Sequence, residues 1–590
     1  MSTTTFEDLK ATVRAWIEAD PDPQTRAELQ SLLDAPDPAR TDLADRFAGS
    51  LEFGTAGLRG VIGGGPNRMN RAVVLRTTWA LGKYLLTQFP DAQERGVVVA
   101  FDGRTMSREF AEDVASVLAA QQIPAHVFPD VVPTPLAAFA VKHLGAVAGV
   151  MITASHNPPE YNGYKLYWRT GSQIVPPVDV DIAALITQAP PAREVAGVPR
   201  AEAAARALFH LLDASIERAY LDAVRALELH PGGKRDLRIV YTPLHGVGDR
   251  LVRMALDEAR FTRVTSVPEQ REPDGRFPTV AFPNPEEKGS MDLAYALARR
   301  EKADLVFAND PDADRLAVAI PDPAAPGGYL QFTGNQVGVL LGHYLLTERP
   351  PAAGEKRMVL ASLVSSPMLG AIALALGVHY EETLTGFKWI AHRAMQLENS
   401  EGYTFIFGYE EALGYTIRDI VRDKDGISAV VLISEIAAVL AERGRTLKDE
   451  LELLARKYGL YASGQVNVTR KGAKGAEEIR SWMRRLRENP PTEVGSLKVI
   501  SVVDIEAGTR RLVADGKTET IALPPSDVIV LELSGRARII VRPSGTEPKI
   551  KCYIDVREPI TEGEPFTAAE RRAQATLDSL AESFRAILGI

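Results

Sequence analysis

Short apolar runs alternate with helical spacing along most of this chain, and that alternation limits its possible folds more than any other feature. An apolar run at 97–101 is followed by helical periodicity at 108–121, a strand-like stretch at 125–128 and a second apolar run at 146–152. Strands joined through helices run parallel, with helices covering both faces of the sheet. The pattern restarts at 237–241 and again at 359–363. Past Pro490 and Pro491 it changes, and strand patterns at 497–505, 526–533, 538–542 and 550–556 precede one helix at 568–587. That order marks a mostly antiparallel α+β unit. The expected fold is α/β, with three similar doubly wound mixed α/β domains and a C-terminal α+β domain.

A chain of 590 residues has room for about three to five domains. The domains are expected at 1–45 (an N-terminal helical extension), 46–202, 203–325, 326–455 and 456–590, with Pro-containing breaks at 34–38, 188–199 and 321–328 near the first three boundaries. Phe6, Leu9, Val13, Trp16 and Ile17 recur at helical spacing, so the extension is expected to dock on the body. A long helix is expected around 203–229. Gly63, Gly64 and Gly65 read as a flexible loop, because no strand leads into them as a dinucleotide fingerprint requires. His245, beside Gly246 and Gly248, reads as a turn residue.

Charge and cysteine content then exclude whole classes. A formal charge of -9 and a pI near 5.7 argue against nucleic acid or an anionic membrane as partner, since both need clustered Lys and Arg. Cys552 stands alone, which rules out intrachain disulfides and thiolate metal cages and fits a reducing compartment. No run of about 18 apolar residues occurs, and the acidic segment 1–34 lacks the basic and apolar regions of a signal peptide. A cytoplasmic location is expected.

Four loops carry candidate chemistry. Ser155 follows the run 146–152, at a strand's carboxyl end, where open α/β sheets place their ligands. Alone it would be an ordinary loop serine, for a nucleophilic serine needs a base, a metal or a group already loaded on it. In Asn309-Asp310-Pro311-Asp312-Ala313-Asp314-Arg315, three carboxylates at alternate positions repel one another unless a cation lies between them, and hard oxygen ligands suit Mg²⁺. The alternative is a solvated acidic turn. An EF-hand is excluded, because Arg315 occupies the loop-glycine position and Pro321 that of the bidentate glutamate. Glu410 and Glu411 follow a strand pattern and are acceptors suited to sugar hydroxyls. The turn 542–549 gathers Arg542, Ser544, Gly545, Thr546 and Lys549, a set that can cradle a phosphate.

Thr153-Ala154-Ser155-His156-Asn157-Pro158 resembles the phosphoserine loop of the α-D-phosphohexomutases, the phosphoglucomutase and phosphomannomutase family. The aspartate, glutamate and phosphate loops match further family signatures in the family's order. So do Gly54-Thr55-Ala56-Gly57-Leu58-Arg59, Pro273-Asp274-Gly275-Arg276-Phe277-Pro278, Leu384-Thr385-Gly386-Phe387-Lys388-Trp389 and Arg422-Asp423-Lys424-Asp425-Gly426. The resemblance implies four domains around a central cleft. It implies one Mg²⁺ per chain on Ser155, Asp310, Asp312 and Asp314, and sugar phosphates bound by Arg59, Arg315, Thr385, Gly386, Glu410, Glu411 and the 542–549 loop. His156, Lys165 and Lys424 become candidates for moving the proton. The implied activity interconverts glucose 1-phosphate and glucose 6-phosphate through glucose 1,6-bisphosphate. Glu-Glu-Ala-Leu-Gly at 410–414 departs from the commoner E-x-S-G form, which keeps pentose and mannose phosphates open as substrates. A Mg²⁺-dependent sugar phosphatase and a non-catalytic sugar-phosphate sensor are the readings from other classes. Oligomeric state is not legible.

Overall fold

A computed structural model describes residues 6–35, 39–52, 57–470, 472–543 and 549–590. The chain divides into two compact units, Met1–Thr333 with Ala412–Val439, and Gly334–Glu411 with Leu440–Ile590.

The first unit is built on two mixed sheets. One has the strand order Leu58–Val61, Tyr161–Trp168, Ala148–Ile152, Val97–Phe101, Ala125–Val127, Phe209–Leu211. The last four run parallel, while Tyr161–Trp168 turns back antiparallel beside Ala148–Ile152. All five residues of Val97–Phe101 are buried, as a strand covered by helices on both faces requires. Each such valine contributes about 1.5–3 kcal/mol by leaving water. Helices Arg71–Gln88 and Ser107–Ala120 pack on this sheet, and Asn70 caps the first by accepting the Val73 N–H at 2.9 Å.

In the second sheet the order is Tyr329–Gln331, Ala317–Pro321, Leu305–Ala308, Ile239–Thr242, Val264–Ser266. Leu305–Ala308 and Ala317–Pro321 pair antiparallel, with Ala308 opposite Ala317, so 309–316 is the loop of a hairpin.

Two expectations are overturned here. The long helix at 203–229 is broken into helix Arg200–Ala205, strand Phe209–Leu211 and helix Ala214–Arg225. Ala207 takes a left-handed φ of +54°, which stops the first helix, and Asp213 caps the second by accepting the Ser215 N–H at 2.8 Å. The intervening strand joins the first sheet, which thus extends past residue 202. The glycines at 63–65 are buried and gripped rather than flexible. The Gly64 N–H donates to Glu28 at 2.8 Å, Arg46 donates to the Gly64 carbonyl at 3.1 Å, and a Cβ there would fall 2.6 Å from Leu29 Cγ. Close approach, not freedom, is their use. Glu28 and Arg46 belong to an N-terminal set of three helices, Phe6–Ala19, Pro23–Asp34 and Ala39–Arg46, whose own small core is Val13, Leu29 and Leu43.

In the second unit, strands His379–Thr383, Lys356–Ser362 and Tyr403–Glu410 pair parallel. An antiparallel sheet follows, with Leu460–Thr469, Lys549–Glu558, Arg538–Pro543, Ile529–Leu533 and Leu497–Asp504 side by side. Helices Gly472–Glu488 and Phe566–Leu588 pack against it through one apolar cluster. Leu363, Val364 and Leu384, just past strands of the parallel sheet, join Val503 and Ile540 of the antiparallel sheet and the neighbouring Ile505 in a shared core. Among the described residues, no helix is long and apolar enough to cross a membrane.

Candidate active site

Ser155 lies in the turn between Ala148–Ile152 and Tyr161–Trp168, and the returning strand carries Lys165 opposite Met151. The hairpin 309–316 of the second sheet meets that turn. Ser155 Oγ donates to Asp310 Oδ2 at 2.7 Å and lies 3.2 Å from His156 Nδ1. Lys165 Nζ reaches Asp312 Oδ2 at 2.6 Å and Asp314 Oδ2 at 2.9 Å. Lys424 Nζ reaches Asp314 Oδ2 at 3.2 Å and Asp423 Oδ1 at 3.0 Å. Arg59 donates to the Asn157 side chain at 3.3 Å, and Arg315 Nε stands 3.9 Å from Asp310. The structure thus gathers Ser155, Lys165, Lys424 and the three aspartates, all buried, with the partly buried His156, Arg59 and Arg315 beside them.

Burial governs the electrostatics. It pushes the Asp310 carboxyl well above the usual range, reinforced by the charges of Asp312 and Asp314 and opposed by Arg315. Burial also acts on Asp312 and Asp314, but Lys165 overrides it and holds both below the usual range, with Lys424 and Arg315 also acting on Asp314. Against burial, the same two carboxylates raise Lys165, so it stays a cation. His156 is driven well below its ordinary value by burial and by Arg315 and Arg59, leaving the imidazole neutral.

The aspartates fit a metal ion. Each offers an oxygen, and these lie within 4.8 Å of one another. Asp312 Oδ1 and Asp314 Oδ1 are buried with no hydrogen-bond partner. Such oxygens cost stability unless something meets them, and an all-oxygen set suits a hard divalent cation. Supporting residues went unnoticed in the sequence. Thr134 donates to Asp312 Oδ2 at 2.8 Å, and Tyr241 to Asn309 Oδ1 at 2.8 Å while Asn309 Nδ2 donates to the Arg315 carbonyl. Thr134 stands 178 residues from Asp312, and nothing local in Val-Pro-Thr-Pro signals the contact.

The remaining candidates belong to the second unit. Glu410 Oε1 accepts the Gly386 N–H at 2.7 Å, where Gly386 has φ +107° and precedes helix Phe387–Glu401. Glu410 therefore ties the 384–389 loop to the glutamate loop and places negative charge at a helix N-terminus. The Glu411 N–H donates to Ser365 Oγ at 3.1 Å, and Ser362 Oγ donates to Glu411 Oε2 at 3.3 Å. Thr385, in the same loop, directly precedes Gly386. Arg542 ends the strand Arg538–Pro543, and Lys549 begins Lys549–Glu558. Burial raises the Tyr553 hydroxyl, Glu411 and Glu410 raise it further, and Arg542 opposes them. Glu410, Glu411 and Arg542 therefore all act electrostatically on one tyrosine. Ser544, Gly545, Thr546 and the stretch 53–56 lie outside the described residues.

The four domains described as phosphoglucomutase/phosphomannomutase α/β/α domains I, II and III and C-terminal domain match residues 50–193, 218–324, 333–458 and 511–562. A Homo sapiens protein named phosphopentomutase is 38% identical over 89% of this chain and 88% of its own. A Staphylococcus epidermidis phosphoglucomutase is 36% identical over 86% of this chain and 91% of its own. The crystal structure of a putative phosphomannomutase from Thermus thermophilus aligns with a TM-score of 0.66 at 23% identity, over 92% of this chain and 100% of that one, which speaks to fold. A chain matched in order by all four of these domains, and more than a third identical to two members over most of its length, belongs to the phosphoglucomutase/phosphomannomutase family, the α-D-phosphohexomutases, and is a mutase.

Proposed function

We propose that this chain interconverts glucose 1-phosphate and glucose 6-phosphate by passing a phosphoryl group through Ser155. The observation that carries the reading is the placement of Ser155 Oγ 2.7 Å from Asp310, within a buried aspartate triad that has two orphaned oxygens. In this reading Asp310, Asp312 and Asp314, with a phosphoryl group on Ser155, would hold Mg²⁺. When bound, the ion would neutralise charge on the phosphoryl group, the largest demand of such a transfer.

The chain's own residues divide the rest. A sugar hydroxyl attacks the phosphorus, a new O–P bond forms, and the bond to Ser155 Oγ breaks. The attacking hydroxyl gives up its proton and Ser155 Oγ takes one as its bond to phosphorus breaks, and His156, 3.2 Å from that oxygen, is the candidate for delivering the proton to it. Lys165, held as a cation between Asp312 and Asp314, serves instead to orient those carboxylates. Lys424 is placed likewise, with Asp314 and Asp423 as its partners. Arg59 and Arg315 supply positive charge for phosphate. At the other end of the substrate, Glu410, Glu411, Thr385 and Gly386 would take hydroxyls, and Arg542, Ser544, Gly545, Thr546 and Lys549 the phosphate not being transferred. The resulting glucose 1,6-bisphosphate turns over and returns its other phosphate to Ser155.

A second reading, action on pentose 1- and 5-phosphates, is favoured by the relative named phosphopentomutase and by the Glu-Glu-Ala-Leu-Gly form at 410–414. The deciding experiment is a coupled assay with Mg²⁺ and a sugar-bisphosphate primer, comparing glucose, mannose and ribose 1-phosphates and including Ser155→Ala. Glucose should give the highest kcat/KM, and Ser155→Ala should lose at least about 10³-fold in kcat. A ribose preference would move the assignment to pentoses, and full activity in Ser155→Ala would remove Ser155 as the phosphoryl carrier.

A further inference from the structure

The segment Pro273-Asp274-Gly275-Arg276-Phe277-Pro278 packs on the residue that holds the serine turn. Ser155 has φ +55°, a left-handed conformation unusual for serine and costing on the order of 1 kcal/mol. Something must enforce it. Arg104, just past strand Val97–Phe101, is buried, with 1% of its side chain exposed. Its guanidinium donates to the carbonyls of Ser155 at 2.6 Å, Pro158 at 2.8 Å, Tyr161 at 3.0 Å and Asn157. One planar fork thus holds four carbonyls of the nucleophile's turn.

Arg104 is braced in its turn. Asp102 Oδ1 accepts the Arg104 N–H at 3.0 Å and the Ser107 hydroxyl at 2.7 Å, and the Asp102 carboxylate lies 3.5 Å from the Arg104 guanidinium. The Phe277 ring lies 4.9 Å from Arg104 Cζ, a cation–π distance in a water-excluded place. Phe277 can reach it because a Cβ on Gly275 would fall 2.8 Å from Arg104 Cα and from Thr105 N, so only glycine lets the segment lie on that backbone. Further along, Phe282 meets the His156 ring edge-on at 5.9 Å.

We propose that Arg104, backed by Phe277, is a positioning residue for phosphoryl transfer, aiming Ser155 Oγ at the aspartate triad. The proposal rests on the mutase reading above. A lysine cannot replace Arg104, since a compact ammonium cannot span four carbonyls in a plane. Arg104→Lys should therefore fold while misplacing the serine.

The test is single-turnover transfer from phosphorylated Ser155 to glucose 1-phosphate, in wild type, Arg104→Lys and Phe277→Leu. Thermal unfolding and Mn²⁺ affinity are measured on the same samples. Arg104→Lys should slow the transfer about 10²-fold, as a displacement near 1 Å does. Phe277→Leu, which keeps an apolar side chain, should slow it several-fold. In both, the Mn²⁺ affinity of the dephosphorylated protein, in which the aspartates and not a phosphoryl oxygen hold the ion, should stay within about twofold, because neither residue touches the aspartates. Wild-type transfer rates in folded Arg104→Lys, or losses that only track folded fraction or Mn²⁺ affinity, would overturn the proposal. Should Arg104→Lys fail to fold, a wild-type rate in Phe277→Leu would overturn it and a slowed one would support it. Wild-type protein that never takes phosphate on Ser155 would overturn the mutase reading and this proposal together, whereas an active wild type beside an unaffected Arg104→Lys removes only the positioning role.

Discussion

Gly246 shows how much of this site rests on single atoms. It lies against the aspartate hairpin, and a Cβ there would overlap the Cα and carbonyl of Pro311, which stands between Asp310 and Asp312. Backbone cannot yield as a flexible side chain does. Gly246→Ala is therefore expected to displace the hairpin, to destabilise the protein by about 1–3 kcal/mol and to weaken Mn²⁺ binding by at least about 10-fold, measured by calorimetry. Lys165 illustrates the converse, a residue whose role depends on its surroundings. Burial alone would favour its neutral form, yet two carboxylates within 2.9 Å keep it charged. Its letter in the sequence says neither.

Among elements, the strand-end loops were legible because their chemistry is local. Asp310, Asp312 and Asp314 fall within one hairpin, so spacing alone brings the carboxylates together. The segment 203–229 was misread because Ala-rich stretches favour helix, and a single left-handed Ala207 with the capping Asp213 outweighs that preference once Phe209–Leu211 finds a sheet edge. Leu460–Thr469 went unseen because its exposed residues blur the apolar pattern, whereas pairing with Lys549–Glu558 defines it. A pH dependence belongs at this scale. On helix Gly334–Thr347, burial and then Lys457 hold His343 down to about 4, against an unfolded value near 6.5. Both states are neutral above pH 6.5, so the group costs nothing there. As pH falls from 6.5 toward 4 only the unfolded chain takes the proton, and stability is lost. Between pH 7 and 4.5, chemical denaturation should show His343→Gln losing about 2 kcal/mol less than wild type.

For the whole molecule, the buried triad predicts that a divalent cation stabilises the folded chain. At about 100 times its Kd, Mg²⁺ should add about 2.7 kcal/mol and raise Tm, and the double variant Asp312→Asn, Asp314→Asn should show no such rise by scanning calorimetry. A Tm indifferent to Mg²⁺ in wild type would show that the triad does not hold the ion. What the sequence determined by itself was the succession of sheets and the chemical character of each loop, since period, breaks and clustered carboxylates act over a few residues. Only the tertiary structure decided which groups meet and in what charge state: Thr134 and Lys165 on Asp312, Arg104 on the serine turn, Glu410 on the Gly386 N–H, and a neutral His156. Those facts depend on burial and on contacts spanning up to 178 residues, and neither desolvation nor long-range approach leaves a local pattern to read.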